Sequence, residues 1–74
     1  MEPDIDLDLC GLEPPEPLER VLQAISTLAK GQRLRMLIDR EPRPLYAILN
    51  NNGFQYSAST DASYRYEILI WHRD

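Results

Sequence analysis

Gly11-Leu12-Glu13-Pro14-Pro15-Glu16-Pro17-Leu18 decides how this chain is read. Before it, Ile5, Leu7 and Leu9 alternate with Asp6 and Asp8, the period of a strand with one buried face. After it, Leu18, Val21, Leu22, Ile25 and Leu28 keep a helical spacing, and Gly31 is a fitting terminator. Three prolines and two glutamates between a strand and a helix make a rigid elbow. Proline suits the first helical turn, where amides have no intrahelical partner, and glutamate suits the positive end of the helix dipole. The spacing predicts helix one over 15–29.

A second junction, Asp39-Arg40-Glu41-Pro42-Arg43-Pro44-Leu45, repeats the design. Leu34, Met36 and Ile38, alternating with Arg33, Arg35 and Leu37, lead into it as strand two. Leu45, Ile48 and Leu49 follow as a short stripe closed by Asn50-Asn51-Asn52-Gly53, which predicts helix two over 43–51. Phe54, Tyr56 and Ala58 indicate a third strand, Thr60-Asp61-Ala62-Ser63 a turn, and 64–72 a fourth strand. Its inward set is Tyr64, Tyr66, Ile68 and Ile70; Arg65, Glu67, Leu69, Trp71 and Arg73 face outward. Residues 1–4 read as a loose tail of one domain spanning 1–74.

The order β-α-β-α-β-β implies an α/β two-layer sandwich, a four-stranded sheet with both helices on one face. A strand–helix–strand crossover joins parallel strands, so both elbows leave the same sheet edge. Ligands on such sheets gather beyond the carboxyl ends of the strands, near helix N-termini.

The chain's 74 residues carry a formal charge of −4 and one cysteine. The acidity disfavours non-specific binding to nucleic acid or anionic membranes. A single cysteine forms no internal disulfide and fits a reducing compartment, hence a cytoplasmic expectation. No apolar run is long enough to span a bilayer, and Met-Glu-Pro-Asp is a poor start for a signal peptide.

Gly11-Leu12-Glu13-Pro14-Pro15-Glu16-Pro17 resembles the signature of the TusA/SirA-like superfamily, small proteins of bacterial sulfur transfer. That signature reads Gly-Leu-X-Cys-Pro-X-Pro, with the cysteine carrying a persulfide; here its position holds Pro14. The second elbow resembles the Asp-His-Asp-Pro-X-Pro-Leu motif of a related bacterial family of unknown function, with Arg40 in place of the histidine. The resemblance implies a mixed sheet with strand four antiparallel and internal, between strands two and three. Pro14 has neither a nucleophile nor a transferable proton, so sulfur relay at that position is excluded.

The site expectations follow from these junctions. Glu13, Pro14, Pro15 and Glu16 of the first elbow, with Arg40, Glu41 and Arg43 of the second, are expected to line a shared polar site. It would hold a protein partner or a small anionic or zwitterionic ligand. The bland alternative is that the prolines only punctuate the chain and the charges pair with one another. Trp71, Leu69, Leu37, Arg33 and Arg35 share the uncovered sheet face, with the composition of a partner or dimer surface; the chain is expected to be a monomer or weak dimer. Alternatively, arginine stems and rings simply cover each other there. Cys10 is an alternative sulfur carrier, but its acidic neighbours oppose a thiolate. His72 stands alone, with no Cys/His spacing for a metal, and no acid–base pair or nucleophilic triad emerges. Neither a cofactor nor a catalytic residue is therefore expected, and the chain reads as a binding module, with a Cys10-based sulfur carrier as the alternative.

Overall fold

The structure, a computed structural model, describes residues 4–61 and 63–73. Its elements run β1 (Ile5–Asp8), α1 (Glu16–Ile25), β2 (Arg33–Ile38), α2 (Arg43–Asn51), β3 (Phe54–Thr60) and β4 (Tyr66–His72). They form one sheet in the order β1-β2-β4-β3. β1 and β2 are parallel, whereas β4 is antiparallel to both β2 and β3. The mixed sheet and its internal fourth strand are as expected.

One face of the sheet makes the core. Leu34, Met36, Ile68 and Ile70 are fully buried with Val21, Leu45 and Leu49 from the helices. Leu9, Ile25, Leu28, Ile38 and Phe54 complete that cluster. Leu18 and Leu22 lie half-buried against it, Ile48 is half-buried, and Pro17 is buried. The period-two strands and 3.6-residue stripes meet as their spacing requires.

Three local expectations are corrected. α1 ends at Ile25 rather than at 29. The Ser26 hydroxyl donates to the Gln23 carbonyl (2.6 Å) and the Thr27 hydroxyl to the Ala24 carbonyl (2.8 Å). These side chains take carbonyls the next helical turn would need, so the chain turns while Leu28 stays in the core. β4 begins at Tyr66, because the Asp61 carboxylate accepts the Ser63 and Arg65 amides (both 2.9 Å) and holds the loop closed. Tyr64 is consequently not inward: it has a φ of 63° and is 88% exposed. Ala58 has the parity of the covered face, yet it is exposed. The expected tail at 1–4 lies outside the described residues except for Asp4, which is tied down. Its amide donates to the Arg33 carbonyl and its carboxylate accepts the Arg33 amide, both at 2.9 Å.

Candidate functional site

Asp8, the last residue of β1, pairs with Leu37, and the Leu9 amide donates to the Leu37 carbonyl (2.8 Å). The two elbows therefore start side by side. Gly11, at a φ of 84° that favours glycine, turns its amide to the Asp39 carboxylate at 3.1 Å. That bond ties elbow to elbow. The Pro14–Pro15 bond is cis. β4 runs antiparallel and Tyr66 pairs with both Ile38 and Thr60, so the Asp61–Arg65 loop reaches the same end of the sheet.

Between the elbows lies a cavity of about 660 Å³. Its floor and walls are apolar: Leu12, Leu18, Val21, Met36, Ile38 and Leu45, with five prolines, Pro14, Pro15, Pro17, Pro42 and Pro44. Glu13, Asp39, Arg40 and Glu41 supply its charge. Glu13, Pro14 and Pro15 also border a second hollow of about 500 Å³ against α1, shared with Glu16, Glu19, Arg20 and Gln23. The first elbow is thus a ridge between two hollows.

The expected site residues divide. Glu13, Pro14, Pro15, Arg40 and Glu41 line the cavity, whereas Glu16 and Arg43 do not. Glu16 pairs along its own helix with Arg20 (3.2 Å), and Arg43 with Glu41 (3.0 Å) from an 83% exposed position. Arg40 forms no ion pair among the described residues. The expected stock of free helix amides is also smaller. The Glu16 amide donates to the Glu13 carbonyl, Arg43 to Glu41 and Leu45 to Pro42 (2.9–3.0 Å), while Pro17 and Pro44 have no amide hydrogen. Three carboxylates and one guanidinium thus line the cavity.

Asp39, Met36 and Val21 also line the cavity, although their sequence pattern did not place them there. Asp39 carried a signal, an acidic residue directly after a strand and opposite a glycine elbow. The other two are hidden because core and cavity floor use the same apolar stripe. Beside the second elbow, Tyr46 and Tyr56 stack with centroids 4.5 Å apart and planes 5° from parallel. Burial, then the Glu41 charge, pushes the Tyr46 phenol up from its ordinary value.

Cys10 is half-buried and does not line the cavity. Its amide donates to the Asp8 carboxylate (3.1 Å), which lowers the Asp8 pKa. Burial, then the hydrogen bond and charge of Asp8, pushes the Cys10 thiol up. His72 sits at the end opposite the elbows, its Nε2 2.6 Å from the Leu28 carbonyl and its ring against Phe54. Among the described residues no His/Cys/Asp/Glu group could hold a metal ion.

The uncovered face of the sheet satisfies itself. Arg35 bridges Asp6 (3.1 Å) and Glu67 (2.6 Å). The Arg33 guanidinium lies 6.0 Å from the Trp71 ring centroid, and the Trp71 indole donates to Gln55 (3.2 Å). Leu37, Leu69 and Trp71 are half-buried.

A family model described as "Uncharacterized conserved protein (DUF2249)" matches residues 6–72. Among solved structures, the crystal structure of a SirA-like protein from Desulfitobacterium hafniense superposes with a TM-score of 0.81 at 20% identity. The match covers 95% of this chain and 99% of that one, and it establishes the fold. No curated protein matches the chain.

Proposed function

The chain belongs to the family of uncharacterized conserved proteins DUF2249, and we propose that it is a non-catalytic binding module working through the cavity between its two elbows. The occupant is a protein segment that inserts an apolar side chain and carries charges of both signs beside it. One observation carries this reading: a cavity of about 660 Å³ with an apolar floor, rimmed by Glu13, Asp39, Glu41 and an Arg40 that forms no ion pair among the described residues. That volume lies within the range of roughly 300–1,000 Å³ typical of ligand sites. Five prolines hold its walls, so little backbone entropy is lost when the site is filled. No lining residue has a thiol, hydroxyl or imidazole, which supports recognition rather than group transfer.

The test is capture from native cell extract followed by mass spectrometry, comparing wild type, Glu13→Ala/Arg40→Ala and Arg33→Ala. The elbow variant should fold, by its circular dichroism melt, and lose the partner that wild type and Arg33→Ala both retain. Loss in Arg33→Ala alone would move the site to the sheet face around Trp71. A sulfur-transfer enzyme as the partner, with sulfur appearing on Cys10, would favour the carrier reading instead.

A further inference from the structure

The sheet has two edges of unequal character. β1 is a short edge of four residues, and two of them are aspartates. β3 is a seven-residue edge, Phe54-Gln55-Tyr56-Ser57-Ala58-Ser59-Thr60, with neither a charge nor a proline. It pairs with β4 residue for residue, without a bulge. Long edges are normally guarded by charge, proline or a bulge, because their free amides and carbonyls template another strand. None of β3's own residues supplies such a guard, and the one charge near the edge is the Arg73 guanidinium at its Phe54 end, although the chain carries a formal charge of −4.

Bonds flanking the β3–β4 ladder show which groups are free. The Arg73 amide donates to the Gly53 carbonyl (2.8 Å) and the Asp61 amide to the Arg65 carbonyl (2.9 Å). Alternation along an antiparallel pair then turns Gln55, Ser57 and Ser59 toward β4. Phe54, Tyr56, Ala58 and Thr60 turn their amides and carbonyls to the open edge. Arg73 reaches the Phe54 carbonyl from its side chain (3.2 Å), leaving that oxygen a second lone pair.

We propose that two copies of this chain pair through β3, antiparallel, about a two-fold axis at Ser57, making one continuous eight-stranded sheet. In this register all four open residues find partners, Tyr56 with Ala58 of the second copy and Phe54 with Thr60, each twice by symmetry. Ser57 meets itself as the non-hydrogen-bonded pair at the axis. The side chains are self-complementary, each aromatic ring opposite a small residue. Ala58 and Thr60 are exposed although they have the parity of the covered face. That space beside Ala58 is where Tyr56 of the second copy, already stacked on its own Tyr46, would lie. The absence of charge on β3 lets two acidic chains meet there without like charges opposed. This interface is separate from the elbow cavity and does not depend on it.

Sedimentation equilibrium from about 1 µM to about 1 mM, a range spanning weak to moderate affinities, reads the association directly. Wild type should reach twice the chain mass. In Ala58→Pro the proline removes only an amide that points away from β4, which an edge strand tolerates. This variant should keep its circular dichroism melt and associate at least tenfold more weakly. Ser57→Lys and Ser57→Asp should each be monomeric, and their equal mixture should dimerise again, because the charges meet across the axis. The mixture decides the matter even if Ala58→Pro fails to fold. A wild type that stays monomeric throughout overturns the proposal, including the case where a strand of another protein takes the edge. So does a dimer that survives both Ser57 variants, or one abolished instead by Arg33→Glu on the sheet face.

Discussion

On one face of the sheet, Leu34, Met36, Ile68 and Ile70 are fully buried beneath two helices. On the other face, Arg33, Arg35, Leu37, Glu67, Leu69 and Trp71 alternate with them on the same two strands and remain partly or fully exposed. One backbone ladder thus separates a dry layer from a layer of ion pairs and ring contacts. The first is stabilised by apolar area removed from water, about 1.5–3 kcal/mol for each large side chain. The second holds interactions that still compete with solvent, typically about 0–1 kcal/mol per pair. The difference teaches which face of the sheet carries the fold's stability. The larger of the two hollows lies instead at the end of the sheet, between the proline-rich elbows.

The largest effect that could break this comparison is a core truncation. Leu45→Ala removes a side chain 1% exposed and should cost about 2–5 kcal/mol in urea denaturation. Leu37→Ala, on the uncovered face, should cost about 1 kcal/mol or less. Equal losses would mean that the uncovered face is as dry as the covered one. Leu22 is a poorer probe than its place in the stripe implies, because it is only half-buried.

Arg35→Met comes next. It leaves Asp6 and Glu67 without the guanidinium that joins them, 3.1 and 2.6 Å away. A loss of about 1 kcal/mol that shrinks with added salt is expected, because the Arg35 side chain is still 29% exposed. A loss as large as that of Leu45→Ala, unmoved by salt, would place this triad in the core instead.

A smaller effect appears with acid. The Asp61 carboxylate is held below its usual range first by the Arg65 amide and then by the Ser63 amide, and Asp8 by the Cys10 amide. A carboxyl whose folded pKa is depressed contributes stability that is fully present above its unfolded value. That contribution disappears as pH falls through the folded value. The melting temperature should therefore decline below about pH 4, the ordinary range of an aspartate. In Asp8→Asn/Asp61→Asn that decline should be shallower. Identical acid profiles would show that other carboxylates govern the response.

The architecture was legible because period-two and helical spacings met at two proline junctions, and the parallel crossover followed from them. What the pattern missed was decided by side chains acting on the backbone. Ser26 and Thr27 capture carbonyls and stop α1, and Asp61 captures amides and delays β4; neither event changes hydrophobic spacing. At the elbows, their meeting followed from topology, and Glu13 and Arg40 came to line the cavity between them. Arg43 and Glu16 did not, because each has a nearer partner at short sequence range, Glu41 and Arg20. Charge type and element can be read from sequence, but the rotamer that chooses between a local and a distant partner cannot.

The smallest expected effect on stability sharpens the comparison at the sheet's end. Cys10 lies one residue from the cavity-lining Gly11 but is not part of the lining itself. Its thiol is pushed up by burial and by the bond and charge of Asp8, so little thiolate forms near neutrality. Iodoacetamide should alkylate Cys10 more slowly than it does free glutathione, and Asp8→Asn should restore part of the rate by removing the opposing charge. Cys10→Ser should move stability by no more than about 0.5 kcal/mol, as for a site outside the core cluster. The same reasoning makes Cys10 a poor place to hold a transferable sulfur, whose loading starts with thiolate attack. Incubation with a cysteine desulfurase and labelled cysteine should therefore leave the protein unlabelled. A stoichiometric gain of one sulfur, absent from Cys10→Ser, would show that the elbow end carries sulfur chemistry.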